Sequence, residues 1–194
     1  MTVTQNRNGS SSSPVRTLLR CAQFILFYSG FLALIYVGFV VVETQIYQKD
    51  QSTILDHAPK STLTAPPTGV AIGRVEIPRL GLTAVVVQGD SEPILKLAVG
   101  HIPGTALPGQ SGNMALAGHR DTFFRALRNI RVGDQIVFES PAGSYEYQVE
   151  SASVVPPTDL SVLKNSGSRE LTLITCYPFS WIGSAPDRFI VRAR

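Results

Sequence analysis

Thr172-Leu173-Ile174-Thr175-Cys176-Tyr177-Pro178, with Arg188-Phe189-Ile190-Val191 shortly after it, is the stretch on which the reading of this chain turns. An apolar, β-branched run closed by proline reads as a buried strand, and this one ends in a thiol. The strand that follows opens on an arginine. Upstream, Ala117-Gly118-His119-Arg120 places a histidine 57 positions before Cys176, so the order along the chain is His, Cys, Arg.

Those three side chains suit nucleophilic catalysis. The thiolate is the nucleophile, and a free cysteine ionises near ~8.5, so it needs an electropositive neighbour to be useful. An imidazole, titrating near ~6.5, can hold a proton beside the thiolate and then deliver it to a departing amine. Arginine keeps its proton, so Arg188 is suited instead to stabilising an oxyanion or docking the substrate backbone. The coarse strand map lets them meet: His119 follows one strand, Cys176 ends another, and Arg188 starts the next across a loop carrying Pro178, Gly183 and Pro186.

Outward from this segment the pattern is mostly period-two or short apolar runs bounded by Gly and Pro. Strands are predicted at 72–76, 83–88, 113–117, 135–139, 144–154, 170–175 and 188–192. Within the longest of these, Tyr145, Tyr147 and Val149 alternate with Glu146, Gln148 and Glu150, the mark of a strand with one buried and one wet face. So many strands in one domain point to a mainly β barrel or sandwich. Two stretches depart from the pattern and are predicted as short helices, 92–99 and 122–130. In the second, Phe123, Phe124, Leu127 and Ile130 supply a core-facing side.

The N-terminal third is of another kind. Residues 21–42 form 22 consecutive uncharged positions rich in Phe, Leu, Ile and Val, and a bilayer-spanning helix needs roughly 20. Val42-Glu43-Thr44-Gln45 offers no small-residue cleavage site, so an uncleaved signal anchor is predicted rather than a removed leader. Residues 1–20 are Ser- and Asn-rich and are read as a disordered cytoplasmic tail. Their charges are Arg7, Arg16 and Arg20, which places that flank inside and residues 43–194 outside. Residues 43–69, with Ala58-Pro59 and Ala65-Pro66-Pro67, are read as an extracytoplasmic spacer, and 70–194 as the folded domain. The chain thus reads as a single-pass membrane protein.

Charge and cysteines narrow the function further. Of 17 basic residues three lie in the tail, and the remaining 14 match the 14 acidic ones. The basic pI therefore reports topology and excludes a nucleic-acid partner. Cys21 and Cys176 are the two cysteines, on opposite sides of the predicted membrane, so no disulfide joins them. An unpaired thiol in an exported domain is an intermolecular bridge, a buried hydrophobe or a reactive group.

At this point the chain resembles the sortases, membrane-anchored cysteine transpeptidases. The family's Thr-Leu-x-Thr-Cys motif matches Thr172 through Cys176, its histidine region resembles Pro108-Gly109-Gln110-Ser111-Gly112-Asn113 with Ala117-Gly118-His119-Arg120, and its late arginine matches Arg188. The likeness runs from about Ile72 to Val191 and is most like class D. The resemblance implies an eight-stranded sortase-like β-barrel with short helices. It also implies Cys176 as nucleophile, His119 as general acid and base, Arg188 as substrate or oxyanion stabiliser, and Thr175 as a substrate-positioning residue. The implied reaction cleaves an LPxTG-like (Leu-Pro-x-Thr-Gly) sorting signal after Thr through a thioacyl enzyme. The acyl group then passes to an amine acceptor such as a peptidoglycan precursor or a pilin Lys.

Competing assignments are weaker. His101, beside Ile102-Pro103-Gly104, reads as a structural turn histidine, and His57 as a solvated spacer residue. Arg120 points away from His119 on extended backbone and reads as structural. Asp90, Glu92, Asp121, Asp134 and Asp159 are isolated acids, and no zinc spacing occurs, so neither a metal nor a cofactor is predicted. Papain-like peptidases place Cys before His, L,D-transpeptidases need a Ser/Thr-His-Gly-Cys segment, and a redox role needs Cys-x-x-Cys; none fits. The remaining rival is a non-catalytic, membrane-anchored β module binding an envelope component.

Overall fold

The computed structural model describes residues 14–57, 66–165, 167–181 and 183–194. It divides into two compact units, 1–43 and 44–194.

Helix α1, Pro14–His57, carries the predicted span and is long and apolar enough to cross a membrane by length and composition. It starts earlier and stops later than the uncharged run. Pro14 suits a first helical turn, since its missing N–H has no partner to lose there. Beyond Glu43 the sequence holds no Gly or Pro until Pro59, so nothing interrupts the backbone ladder. The stretch expected to be a spacer is therefore helical as far as His57, while residues 1–13 of the expected tail and 58–65 of the spacer lie outside the described residues.

In the larger unit this last part of α1 packs on the domain. Tyr47 and Leu55 lie against a small cluster of Val85, Val87 and Ala98. Between them Gln48 uses both ends of its amide, accepting from the Val85 N–H at 2.8 Å and donating to the Leu97 carbonyl at 2.6 Å.

Eight strands close into a barrel: β1 (Ala71–Ile77), β2 (Leu82–Gln88), β3 (Val99–His101), β4 (Gly112–Ala117), β5 (Gln135–Ser140), β6 (Gly143–Val155), β7 (Arg169–Tyr177) and β8 (Asp187–Ala193). Round the barrel the order is β1-β2-β3-β4-β7-β8-β6-β5. The β2–β3 and β4–β7 pairs are parallel and the others antiparallel. Closure gives every strand a neighbour on each side. Seven of these strands coincide with predicted ones, and the barrel rather than a sandwich is the outcome.

Alternation decides what faces inward. Met114 and Leu116 of β4, Leu171 and Leu173 of β7, and Val191 and Ala193 of β8 join Ile72, Val75, Ile136, Phe138, Tyr147 and Val149 in one core. At about 1.5–3 kcal/mol per buried large apolar side chain, this core is the dominant stabilising term.

Helix α2, Glu92–Leu97, follows β2 as predicted, two residues shorter than expected. The second predicted helix is instead a 3-10 turn, Arg125–Asn129. The apolar spacing explains the difference: buried Phe124 and Leu127 and half-buried Ile130 are spaced by three, which matches the 3.0-residue repeat. The bonds run from the Leu127 N–H to the Phe124 carbonyl at 3.1 Å and from the Ile130 N–H to the Leu127 carbonyl at 3.0 Å. Phe124 and Leu127 are fully buried in the core, as read from the sequence.

Candidate active site

The parallel β4–β7 ladder sets the geometry. Every pair in it, from Gly112 opposite Arg169 to Ala117 opposite Ile174, differs by 57 positions, the separation of His119 and Cys176. The pairing continues past the end of β4, because the Gly118 N–H donates to the Ile174 carbonyl at 3.1 Å. The Thr175 hydroxyl then donates to the Gly118 carbonyl at 2.7 Å. His119 is thereby delivered at the level of Cys176.

On the other side of β7 the antiparallel ladder with β8 sets Cys176 directly opposite Arg188. Facing residues in such a pair have Cβ atoms about 4.5–5.5 Å apart and share one side of the sheet. Since Leu171 and Leu173 point into the barrel, alternation turns Ile174 and Cys176 out of it. All three sequence-predicted residues are thus brought to one end of β4, β7 and β8, on the outer side.

Each is partly accessible. Cys176 is a half-buried free thiol. The His119 side chain is 31% exposed, with its Nε2 3.9 Å from Glu92 Oε1 of α2, a neighbour that the sequence reading counted only as an isolated acid. Arg188 Nη1 donates to the carbonyls of Asp187 at 3.0 Å and Ala185 at 3.3 Å. These are backbone bonds within its own loop rather than the carboxylate pair that a purely electrostatic role would use.

Thr175 is placed differently from the simple expectation. It is 2% exposed and directed inward, so its side chain ties the His119 segment to β7 instead of facing outward with Cys176. Arg120 extends the tie: its Nη2 donates to the carbonyls of Trp181 at 2.7 Å and Gly183 at 3.0 Å in the β7–β8 loop. Below, Tyr177, Phe179 and Phe189 stack and edge against one another at centroid distances of 5.3–6.2 Å, a firm seat for the loop that separates Cys176 from Arg188.

His101 lies elsewhere. It is 1% exposed, with Nδ1 2.8 Å from Gln88 Oε1 and Nε2 2.9 Å from the Ala106 carbonyl and 3.0 Å from Thr105 Oγ1. Burial holds it below the usual histidine range, against the raising influence of the Ala106 carbonyl and Asp90. It is a structural residue, as the sequence suggested. Among the described residues no group of three His, Cys, Asp or Glu side chains is placed to hold a metal ion.

This arrangement can support thiolate attack with an adjacent acid and a guanidinium. Comparison with known proteins gives it a family. The model described as the Sortase domain matches residues 75–194. Sortase D of Bacillus subtilis (strain 168) is 35% identical over 137 residues, covering 70% of this chain and 69% of that protein. Sortase A of Bacillus anthracis is 33% identical over 109 residues, and the chain spans about half of its length, 51%. Among solved structures, a Clostridium perfringens Sortase D5 transpeptidase superposes with a TM-score of 0.68 at 27% identity, over 79% of this chain and 98% of that one. The sortase C1 of Streptococcus suis does so with 0.59 at 30%, over 64% and 72%. The chain belongs to the sortase family.

Proposed function

We propose that this chain is a membrane-anchored cysteine transpeptidase acting on surface proteins that carry a C-terminal LPxTG-like sorting signal. The observation that supports it most directly is the constant 57-position offset of the β4–β7 ladder, which aligns His119 with Cys176, while β8 sets Arg188 opposite the thiol.

In this reading the Cys176 thiolate adds to the carbonyl carbon of the signal's Thr, and the negative charge that develops on the carbonyl oxygen is stabilised by Arg188. Collapse breaks the Thr–Gly C–N bond as His119 donates a proton to the departing amine. The thioacyl enzyme is then attacked by a second amine, from a peptidoglycan precursor or a pilin Lys. His119 takes that amine's proton, and the thiolate leaves with the new amide formed. Thr175 contributes by fixing the Gly118-His119 segment on which the substrate-facing geometry depends. The span within α1 anchors the enzyme with residues 1–20 inside and 70–194 outside. It shares a membrane with its substrates, so a modest intrinsic affinity suffices.

The test uses the full chain in detergent micelles with Leu-Pro-x-Thr-Gly peptides and an amine acceptor, followed by mass spectrometry of enzyme and products. A thioacyl adduct on Cys176 and an amine-exchanged peptide are expected, with both lost in Cys176→Ala. No adduct across a peptide library, with a thiol that alkylates no faster than an ordinary exposed cysteine, would instead favour a non-catalytic module that binds an envelope component.

A further inference from the structure

Arg125-Ala126-Leu127-Arg128-Asn129-Ile130-Arg131 places an arginine at every third position, and the reaction above uses none of them. Residues Arg125–Asn129 form the 3-10 turn, in which side chains at i and i+3 eclipse. With Phe124 and Leu127 buried in the core, Arg125 and Arg128 share an outer edge and are exposed, as is Arg131 just beyond the turn. The repeat that buries apolar residues on one edge thus gathers positive charge on another, an arrangement of like charges that folding alone does not favour.

A fourth arginine completes the group. Arg79 belongs to the 3-10 turn Pro78–Leu80 between β1 and β2. Together with Arg128 and Arg131 it surrounds a hollow of about 570 Å³, to which Leu80, Asn129 and Ile130 add the remaining lining. Small-ligand sites span roughly 300–1,000 Å³.

Asp134, 7% exposed, is the acid at this place, and its oxygens are already committed. Oδ1 accepts from Arg79 Nε, and Oδ2 accepts from Arg79 Nη2 at 2.6 Å and from the Arg131 N–H at 2.8 Å. Arg79 Nη2 also donates to the Asn129 carbonyl at 2.6 Å. Arg79 is therefore neutralised and fixed in orientation, while its Nη1 enters none of these bonds. Among the described residues no ion pair involves Arg125, Arg128 or Arg131. The hollow presents two uncompensated guanidiniums beside a third that is held rigid.

The chemistry of the donors selects the ligand. A guanidinium is a planar fork that meets carboxylate or phosphate oxygens two at a time. A carboxylate, with two oxygens and one charge, satisfies one such fork. A phosphate group carries more oxygens, arranged tetrahedrally, so it can meet forks arriving from several sides and balance more than one charge. We propose that this hollow binds a phosphate group, with Arg128 and Arg131 as its ligands and Arg79 as a fixed wall, the group being carried by a water-soluble phosphate compound or by a lipid headgroup. The inference makes no use of the transpeptidase reading and is tested apart from it.

Full-length protein in dodecyl maltoside micelles is titrated with inorganic pyrophosphate and followed by calorimetry, at about 0.15 M salt so that distant charges are screened. A second titration adds phosphatidylglycerol to the micelles, and amide hydrogen exchange across 125–134 locates each ligand. Saturable binding of pyrophosphate with slowed exchange at 125–131 is expected, weakened about tenfold in Arg128→Gln and likewise in Arg131→Gln, the scale of one charge-assisted hydrogen bond. Both side chains are exposed, so neither substitution strands a buried partner, and equal melting temperatures check that the fold is kept. Lys164→Gln, which removes an exposed positive charge from the β6–β7 connection, should bind as wild type does. Binding of phosphatidylglycerol alone keeps the phosphate site and assigns it a lipid source. No binding in either titration, or binding that the two arginine substitutions weaken no more than Lys164→Gln does, overturns the proposal.

Discussion

Arg120 Nη2 lies 2.7 Å from the carbonyl oxygen of Trp181, so the residue after His119 is hydrogen-bonded to the loop that joins Cys176 to Arg188. The same nitrogen also serves the Gly183 carbonyl. Arg120→Ala releases both carbonyls and is expected to lower kcat/KM by about tenfold or more, since bonds from a charged donor contribute roughly 1.5–3 kcal/mol when shielded and less where solvent competes. Arg120→Lys, with a single flexible ammonium, should fall between. Peptide turnover measured for the three proteins checks this, and an unaltered kcat/KM in Arg120→Ala would remove Arg120 from the site's framework.

Gly118 packs too closely on Phe124 to leave space for a Cβ. A Cβ there would sit 2.8 Å from Phe124 Cδ2, and Phe124 is fully buried with no room to retreat. Overpacking of this kind costs about 1–3 kcal/mol. Because Gly118 bonds both Ile174 and Thr175, relief of the clash displaces His119. Gly118→Ala is expected to lose turnover by more than its fall in thermal stability accounts for.

His101 gives the domain a pH dependence of predictable sign. Its folded-state pKa is depressed by burial, so the unfolded chain binds the proton more readily. Its contribution to stability is present above about 6.5, the unfolded value, and is lost as pH falls from there towards the folded value. Melting temperature should decline on acidification below about pH 6.5. In His101→Gln that part of the decline should disappear, against a lower overall stability. Parallel melting curves for the two proteins across this range make the comparison.

Gln48 stands in for a peptide unit. Its side chain bridges the Val85 N–H and the Leu97 carbonyl just before β3 begins, where β2 is paired with β1 but has no strand on its other side. Gln48→Leu keeps the bulk but strands a donor and an acceptor, at about 1–3 kcal/mol, which for a domain of this size lowers Tm by roughly 2–4 °C per kcal/mol. Removing residues 44–57 should lower it further, because Tyr47 and Leu55 leave Val85, Val87 and Ala98 uncovered.

Much of this was legible in the chain. The alternation through Tyr145, Tyr147 and Val149 announced β6, and Thr172 to Cys176 announced β7, because side-chain period survives in sequence wherever one face is buried. Strand β3 was missed: Val99-Gly100-His101 is three residues long and fully buried, with no exposed position to set up an alternation. The helix expected at 122–130 failed since spacing by three and spacing by 3.6 are indistinguishable over so few turns. The helical stretch from Thr44 to His57 was hidden because what it packs against is formed by β2 and α2, well downstream. At the site, the approach of the ends of β4, β7 and β8 that carry His119, Cys176 and Arg188 was legible in the order and spacing of the motifs. The inward turn of Thr175, the approach of Glu92 and the carbonyl bonds of Arg120 were not, since they depend on where loops fold back, which no local pattern encodes.

The β4–β7 ladder has a last consequence. The two strands are joined by a long excursion through β5 and β6, and the pairing is indifferent to how many residues that excursion contains. Lengthening the turn at Pro141-Ala142 or the connection after Val155 would change the count of 57 without parting the histidine from the thiol. Slipping either strand by a single residue would separate them while leaving the count almost untouched. Proximity here is indexed by the rungs of the sheet, so the excursion is free to vary in length over evolution while the chemistry stays in place.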